Sequence, residues 1–545
     1  MRGIRGLLTA ALAVAALTVC PGAAEAAGWS APAVAAPDGS PAAVGLDDAG
    51  TITVLYFDSD RRPFLASRGP TAGRFGAPVP VGPPGAMAQL AVAPSGRVVV
   101  MYSESACPCN ATSKLFYRAG PSAATLSAPR LLTGNAHFLP TLSIAANGYA
   151  IAAWASSDAV EVATMPPGQG FGAPQQLVKA DAATGGGIDF STSVEAAVND
   201  RGDALVAWDG GKNVQTLDAS YRPAGAAFSP PERLTGEGGY PFTVAMHPAA
   251  VGTVRYAARG GAAVRSRGPL GGFTEPAPIG GGPFGDLVVS PAGPQAAIWG
   301  DQDESRNWRD PGSWRRYVAT RRPDGTFAGP RPLTGVVSAE PPAAGLDSLG
   351  NLFVAWGEGD LGKGRIRAMT MNRFDPTPAD ITPPADGGYG VPPGAMAVNA
   401  EGGVAEAYGG VPSWVPGGGV GVLVLERKPD QVAPGLAVRP AARRLGRVAV
   451  RVRCSEACRA RATVNSAARG PRARRSRSTR SRPVTLRRGA RGRLTLAVPR
   501  SERRRLARTL RRRGRVKVTL VVRVEDAAGN HRSVRRRLSA RRLLR

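Results

Sequence analysis

Seven times between residues 50 and 408, a glycine is followed six positions later by an aromatic residue. The pairs are Gly50–Tyr56, Gly96–Tyr102, Gly148–Trp154, Gly202–Trp208, Gly293–Trp299, Gly350–Trp356 and Gly402–Tyr408. An eighth unit keeps its aromatic, Tyr256, but its turn around Pro248 to Gly252 is irregular. Successive aromatics lie 46, 52, 54, 48, 43, 57 and 52 residues apart. A fixed offset inside a period of this length marks a repeat architecture in which each unit is one supersecondary element.

Each unit reads the same way. A short apolar strand such as Leu90-Ala91-Val92 or Thr141-Leu142-Ser143-Ile144 runs into the glycine turn. A second, nearly continuous apolar strand comes next and ends on the aromatic, as in Ala204-Leu205-Val206-Ala207-Trp208, so both of its faces are expected to be buried. Buried strands also make the eight aromatics core residues rather than a carbohydrate-binding stripe. A third strand comes after it, and a fourth is expected to open on an aromatic with a proline two or three residues on. Examples are Phe75 with Pro78, Phe171 with Pro174, Phe228 with Pro230, Phe273 with Pro276 and Phe327 with Pro330. Proline is tolerated on an edge strand, which is where a blade's outermost strand lies.

Four strands per unit predict an all-β chain containing an eight-bladed β-propeller over residues 27–430, with seven blades as the alternative. The ends support eight. The last unit stops after Val420–Leu425 without a fourth strand, and Trp29–Ala35 reads as a fourth strand without a blade. Pairing them closes the ring and removes an open sheet edge. The segment Arg321-Arg322-Pro323-Asp324-Gly325-Thr326-Phe327-Ala328-Gly329-Pro330 resembles a degenerate Asp-box turn, and the layout of residues 29–428 resembles sialidase-like (BNR-type) propellers. That family's catalysis needs an arginine triad, a Tyr/Glu nucleophile pair and an acid/base Asp. These have no residue-by-residue match here, so the resemblance implies fold and not chemistry.

In this register, the residues just after each aromatic emerge on one face. Six units place acidic residues there: Asp58 and Asp60, Glu104, Asp158, Asp209, Asp301 and Asp303, and Glu358 and Asp360. The longest of these loops adds Arg306 and Trp308, residue types that favour ligand contact. Such a mouth suits a polar ligand, a glycan or cell-surface polymer, or a hard metal such as Ca²⁺, although acidic residues also favour turns for purely local reasons. No cofactor motif is present: HExxH, GxSxG and phosphate-loop patterns are all lacking. The tripeptide Arg201-Gly202-Asp203 spells an adhesion tag, but its glycine is one copy of the repeated turn.

The two ends differ from this body. Arg2 and Arg5, an apolar run from Leu7 to Val19, and Ala24-Glu25-Ala26 predict an export signal over residues 1–26, with a lipoprotein at Cys20 as the alternative. Residues 431–545 hold 36 Arg and one Lys against four acidic residues, whereas the whole chain has a formal charge of +29, so the remainder is close to neutral. Valine-rich stretches at Val448–Arg453, Val484–Leu486, Leu494–Val498 and Val516–Val524 predict strands. Ser501 to Arg513 predicts a helix capped by Ser501 and ended at Gly514, and Ala467–Pro483 is expected to be a disordered loop. Asp526-Ala527-Ala528-Gly529-Asn530 predicts a hairpin turn whose ending resembles bacterial immunoglobulin-like modules, which implies a β-sandwich over 431–545. Cys454 and Cys458 are expected to form a disulfide, and the tighter pair Cys107 and Cys109 would need unusual geometry.

The expected whole is a secreted or cell-surface monomer that binds without catalysis. Its propeller would hold a polar ligand and its basic domain would associate with an anionic envelope. Nucleic acid is not the expected partner, since export and a lack of interleaved aromatics count against it. The alternatives are a sialidase-like or other carbohydrate-active enzyme, and a purely structural scaffold.

Overall fold

The computed structural model describes residues 29–30, 32–104, 113–136, 140–156, 159–179, 192–210, 216–236, 239–258, 261–280, 282, 285–290, 292–293, 295–302, 314–322, 325–337, 342–358, 365–373, 375–380, 393–410, 421–431, 433–444, 447–467, 477–513 and 516–544. The expected export signal, Cys20, Cys107 and Cys109 lie outside them.

Between Ala33 and Arg427 the described strands make eight four-stranded antiparallel sheets. Seven are built from four consecutive strands. The first of these comprises Ser40–Leu46, Ile52–Phe57, Pro63–Arg68 and Val79–Pro80. In the remaining sheet, Pro393–Val398, Val404–Gly410 and Gly421–Arg427 are completed by Ala33–Ala36 from the other end of the chain, and Trp29 bridges Arg427. The opening strands of successive sheets lie side by side, and the last, Pro393–Val398, returns to the first, Ser40–Leu46. The sheets therefore stand around an axis in a closed, propeller-like ring.

The second strands carry the core. Every residue of Ala150–Ala155 is buried, and so are all eight repeat aromatics, Tyr56, Tyr102, Trp154, Trp208, Tyr256, Trp299, Trp356 and Tyr408. Alanine-rich strands such as this one let neighbouring sheets approach closely, and the aromatics fill the widening space between them.

All seven turn glycines have φ between 84° and 109°, a region that L residues with a Cβ rarely occupy. Each N–H donates to the carbonyl three residues back, as Gly202 does to Asn199 at 2.9 Å. The eighth turn is not irregular, contrary to the expectation from sequence. Ala250, six residues before Tyr256, holds φ +63° and donates to His247 at 2.9 Å, so an alanine occupies the glycine position. Neighbouring turns are laced together: the Asn399 side chain donates to Asp47 O, and that of Asn199 to His247 O.

The proline lead-ins also differ from expectation. They precede the fourth strands rather than opening them: Val79–Pro80 follows Pro78, Gln175–Lys179 follows Pro174 and Arg331–Val337 follows Pro330. One backbone bond, such as Gly76 N–H to Ser67 O, ties each lead-in to the third strand. The proline, which has no N–H, then interrupts the ladder.

Residues beyond 430 form two antiparallel sheets over one shared core. One contains Leu436–Arg444, Arg447–Cys454 and Arg491–Ala497. The other runs Arg477–Arg480, Cys458–Ala467, Lys517–Asp526, His531–Leu538, with Val484–Leu486 also pairing to Cys458–Ala467. Strand Arg477–Arg480 falls inside the stretch read as a disordered loop, so tertiary pairing overrides its Arg/Ser composition there. The helix spans Arg500–Arg513 and rests Leu506 on the core. Ser501 lies within it rather than capping it, because Arg503 N–H already donates to Pro499 O. Cys454 and Cys458 are joined in a disulfide.

This basic unit meets the ring through the hairpin turn Asp526–Asn530. Arg373 pairs with Glu525 at 2.7 Å, Asn351 Nδ2 donates to Ala527 O at 3.1 Å, and Asn530 Nδ2 donates to Asp430 O at 2.8 Å. Asn351 comes directly after a turn glycine, so the basic unit docks on the turn face.

Candidate functional site

Three of the sequence-nominated carboxylates, Asp58, Glu104 and Asp209, make local contacts. Asp58 Oδ1 accepts the N–H groups of Asp60 and Arg62 and so shapes the loop in which exposed Asp60 sits. Glu104 pairs with Lys114 at 3.2 Å, and Asp209 accepts the Ser193 N–H. Asp209, Asp301 and Glu358 lie in second strands that run on past their aromatics, and the Asp301 side chain is exposed. Asp58 and Asp60 share one loop, but no described contact gathers the others into a common cluster. Asp158, Asp303, Arg306, Trp308 and Asp360 lie outside the described residues, as does the side chain of Glu358.

A different set of residues converges on the axis. Thirteen positions before each aromatic, at the mouth end of each opening strand, stand Ala43, Gln89, Thr141, Glu195, Thr243, Asp286, Ala343 and Ala395. Each is paired in register with the residue preceding the aromatic, as Glu195 is with Ala207 and Asp286 with Ile298. Five consecutive sheets therefore contribute a polar group to one layer, and the other three contribute alanine. Thr141 Oγ1 donates to Glu195 Oε2 at 3.3 Å, and Thr243 Oγ1 has no hydrogen-bond partner.

Electrostatics ties this layer together. Burial pushes the Glu195 carboxyl up to about 7, and the charge of Asp286 adds to the shift. Asp286 is raised by burial too, but the Leu287 N–H and the Arg255 guanidinium oppose the rise. Protein surrounds the Asp286 carboxyl closely, although the residue keeps an exposed face. Arg255 replaces the small or apolar residue found before the other aromatics. It is fully buried, holds Gly282 O and Gly285 O, and is brought down to about 10 by burial, with Asp286 opposing. At the turn end of the axis a cavity of about 120 Å³ is lined by apolar Ile144, Val198, Met246 and Val289 together with polar Asn199, Asp200 and Ser290.

The larger cavity, about 670 Å³, lies on the exposed face of the C-terminal sheet. Arg459, Arg461, Thr463, Arg480, Arg523, Glu525 and His531 line it. Residues two apart on a strand share a face, so Arg459 and Arg461 project together. Arg461 stands opposite Arg523, and Thr463 stands opposite Arg480. Composition shows the charge of this unit but not this groove, because strand Cys458–Ala467 reads as Arg/Ala-rich rather than as an apolar alternation.

Arg201-Gly202-Asp203 is a turn. Asp203 is fully buried, with Oδ2 accepting from Asn199 Nδ2 at 3.0 Å and Oδ1 from Ala224 N–H at 2.9 Å. A carboxylate so enclosed is not available to a receptor.

No family model and no curated protein matches the chain. Among solved structures it is similar to the polysaccharide lyase Uly1, at 12% identity and TM-score 0.41, covering 73% of this chain and 91% of that one. It is similar to the β-propeller domain of the Trilobed protease from Pyrococcus furiosus, at 9% identity and TM-score 0.38, covering 64% and 99%. It is also similar to prolyl oligopeptidase B from Galerina marginata, at 9% identity and TM-score 0.41, covering 69% and 56%. Likeness at this distance carries no argument about function.

Proposed function

We propose that the chain is an exported, non-catalytic binding protein that docks on an anionic polymer through the arginine-lined face of its C-terminal, immunoglobulin-like sandwich. In this reading the ring is an eight-bladed propeller whose mouth is left free for a second, polar ligand such as a glycan or cell-surface polymer. The observation that carries the reading is the groove formed by Arg459, Arg461, Arg480 and Arg523. Four guanidinium groups on adjacent strands make a repeating set of planar donors, which matches sulfate, phosphate or carboxylate groups spaced along a chain. Glu525, the acidic residue in the lining, is engaged by Arg373. Binding of the full-length protein to an immobilised sulfated polysaccharide tests this. An Arg461→Glu/Arg523→Glu variant is expected to bind at least tenfold more weakly, and unchanged binding overturns the reading.

A second reading is favoured by one specific observation. Glu195, held near 7 and beside the charge of Asp286, has the character of a general acid, and the pair sits at the mouth of the axis where a sugar chain would enter. Release of sugar from a polysaccharide panel that is abolished by Glu195→Gln would establish a carbohydrate-active enzyme. No release by the wild type removes that reading.

A further inference from the structure

We infer that Asp430, Glu456 and Asp526 form a Ca²⁺ site at the junction of the ring and the basic unit. One carboxylate oxygen from each lies within 4.8 Å of the other two. The three come from separate elements: Asp430 from the segment after the last ring strand, Glu456 from the loop closed by the Cys454–Cys458 disulfide, and Asp526 from the end of strand Lys517–Asp526.

Two observations point to a cation. Asp526 is 1% exposed, and while its Oδ1 accepts the Asn530 N–H at 2.7 Å, its Oδ2 has no hydrogen-bond partner. A buried carboxylate oxygen left unsatisfied costs free energy that a cation recovers. The second observation is the company these residues keep. Residues 431–545 contain only four acidic residues among 36 arginines. Glu502 is taken by Arg505 and Glu525 by Arg373. The remaining two, Glu456 and Asp526, converge on Asp430 and on each other. Arg488 attracts Glu456 and Arg427 attracts Asp430, yet three carboxylate oxygens within 4.8 Å of one another still repel, and a cation among them would remove that repulsion.

All three ligands are hard oxygens. Asp430 is exposed and Glu456 half-buried, which leaves room for water to complete the six to eight ligands that Ca²⁺ takes. The ion would tie the linker to the disulfide loop and to the hairpin that touches the ring through Asn351 and Arg373. It would thereby fix the orientation of the two units, and this role is independent of the polyanion groove.

The test is Ca²⁺ titration calorimetry on the full-length, chelator-stripped protein, alongside Glu456→Gln and Asp430→Asn variants. Both positions lie at least partly at the surface, so these changes should leave the fold intact, as checked by circular dichroism in chelator. The wild type is expected to take up Ca²⁺ at a site whose affinity falls at least tenfold in each variant, and to gain thermal stability with Ca²⁺ that the variants do not gain. Absence of uptake by the wild type up to about 10 mM Ca²⁺, or uptake and thermal shift identical in the variants, would overturn the proposal.

Discussion

The ring and the basic unit bury their cores by different means. In the ring, second strands buried on both faces are read almost directly, because two stereochemical demands recur: a left-handed turn residue and an aromatic six positions on. In the basic unit, strands such as Arg447–Cys454 alternate buried valines with arginines directed to solvent, and nothing repeats. The first design specifies a rigid frame. The second turns charge outward along its strands, as at Arg447, Arg451 and Arg453.

Five substitutions probe this difference, beginning with the largest expected effect. Trp299 is completely buried and stacks on Tyr317 with centroids 6.0 Å apart. Trp299→Ala should cost about 3–5 kcal/mol in chemical denaturation. A cost below about 1 kcal/mol would mean that the repeat aromatics are not the ring's structural core.

Glu406 comes next. It is fully buried, neither carboxylate oxygen has a hydrogen-bond partner, and burial pushes its carboxyl up to about 8 from 4.5. The folded chain therefore keeps a proton that the unfolded chain releases. The penalty is absent below pH 4.5, grows as pH rises, and is complete above about pH 8. Glu406→Gln should therefore stabilise the protein by a few kcal/mol at pH 9 and change little at pH 4. An equal effect at both values would show that ionisation is not what this residue costs.

The turns give a smaller, two-sided test. A Cβ at Gly202 would lie 2.9 Å from the Tyr149 ring at a φ of +86°, so Gly202→Ala should destabilise by about 1–3 kcal/mol. Ala250→Gly relieves a positive φ and should stabilise by up to about 1 kcal/mol. Thermal melts of both variants should move in opposite directions, and a shared direction contradicts the equivalence of the two turns. Smallest of all, Arg461→Ala in the basic unit should alter stability by less than about 0.5 kcal/mol. A large loss would make the arginine face part of the core rather than a surface for a partner.

Legibility in the sequence depended on which residues have a single physical role. A glycine at φ near +85° has no good substitute, so it leaves a periodic mark, and so does an aromatic that fills an intersheet gap. Ala250 hid the eighth turn because alanine can occupy that conformation at a cost. The axial layer of Gln89, Thr141, Glu195, Thr243 and Asp286 went unread because a polar residue in a strand normally signals a solvent face. Its constant offset of thirteen from the aromatics was present all along. Asp430, Glu456 and Asp526 could not be grouped from sequence, since only the fold brings residues so far apart in the chain to one point. Among the loop carboxylates nominated by register, Asp58 and Asp209 hold local backbone N–H groups, a role that register alone does not reveal.

The central claim is that the basic face is a binding surface held by a neutral frame. The most direct measurement is the salt dependence of full-length protein binding to a sulfated polysaccharide, for the wild type and for Arg461→Glu/Arg523→Glu. Charge pairing at an exposed groove weakens as the Debye length shrinks from about 10 Å at 0.1 M salt to about 3 Å at 1 M. The expected result is tight binding at low salt, a steep loss toward 1 M, and a clearly shallower dependence in the variant. Binding that is insensitive to salt, or equally steep in the variant, would contradict the claim.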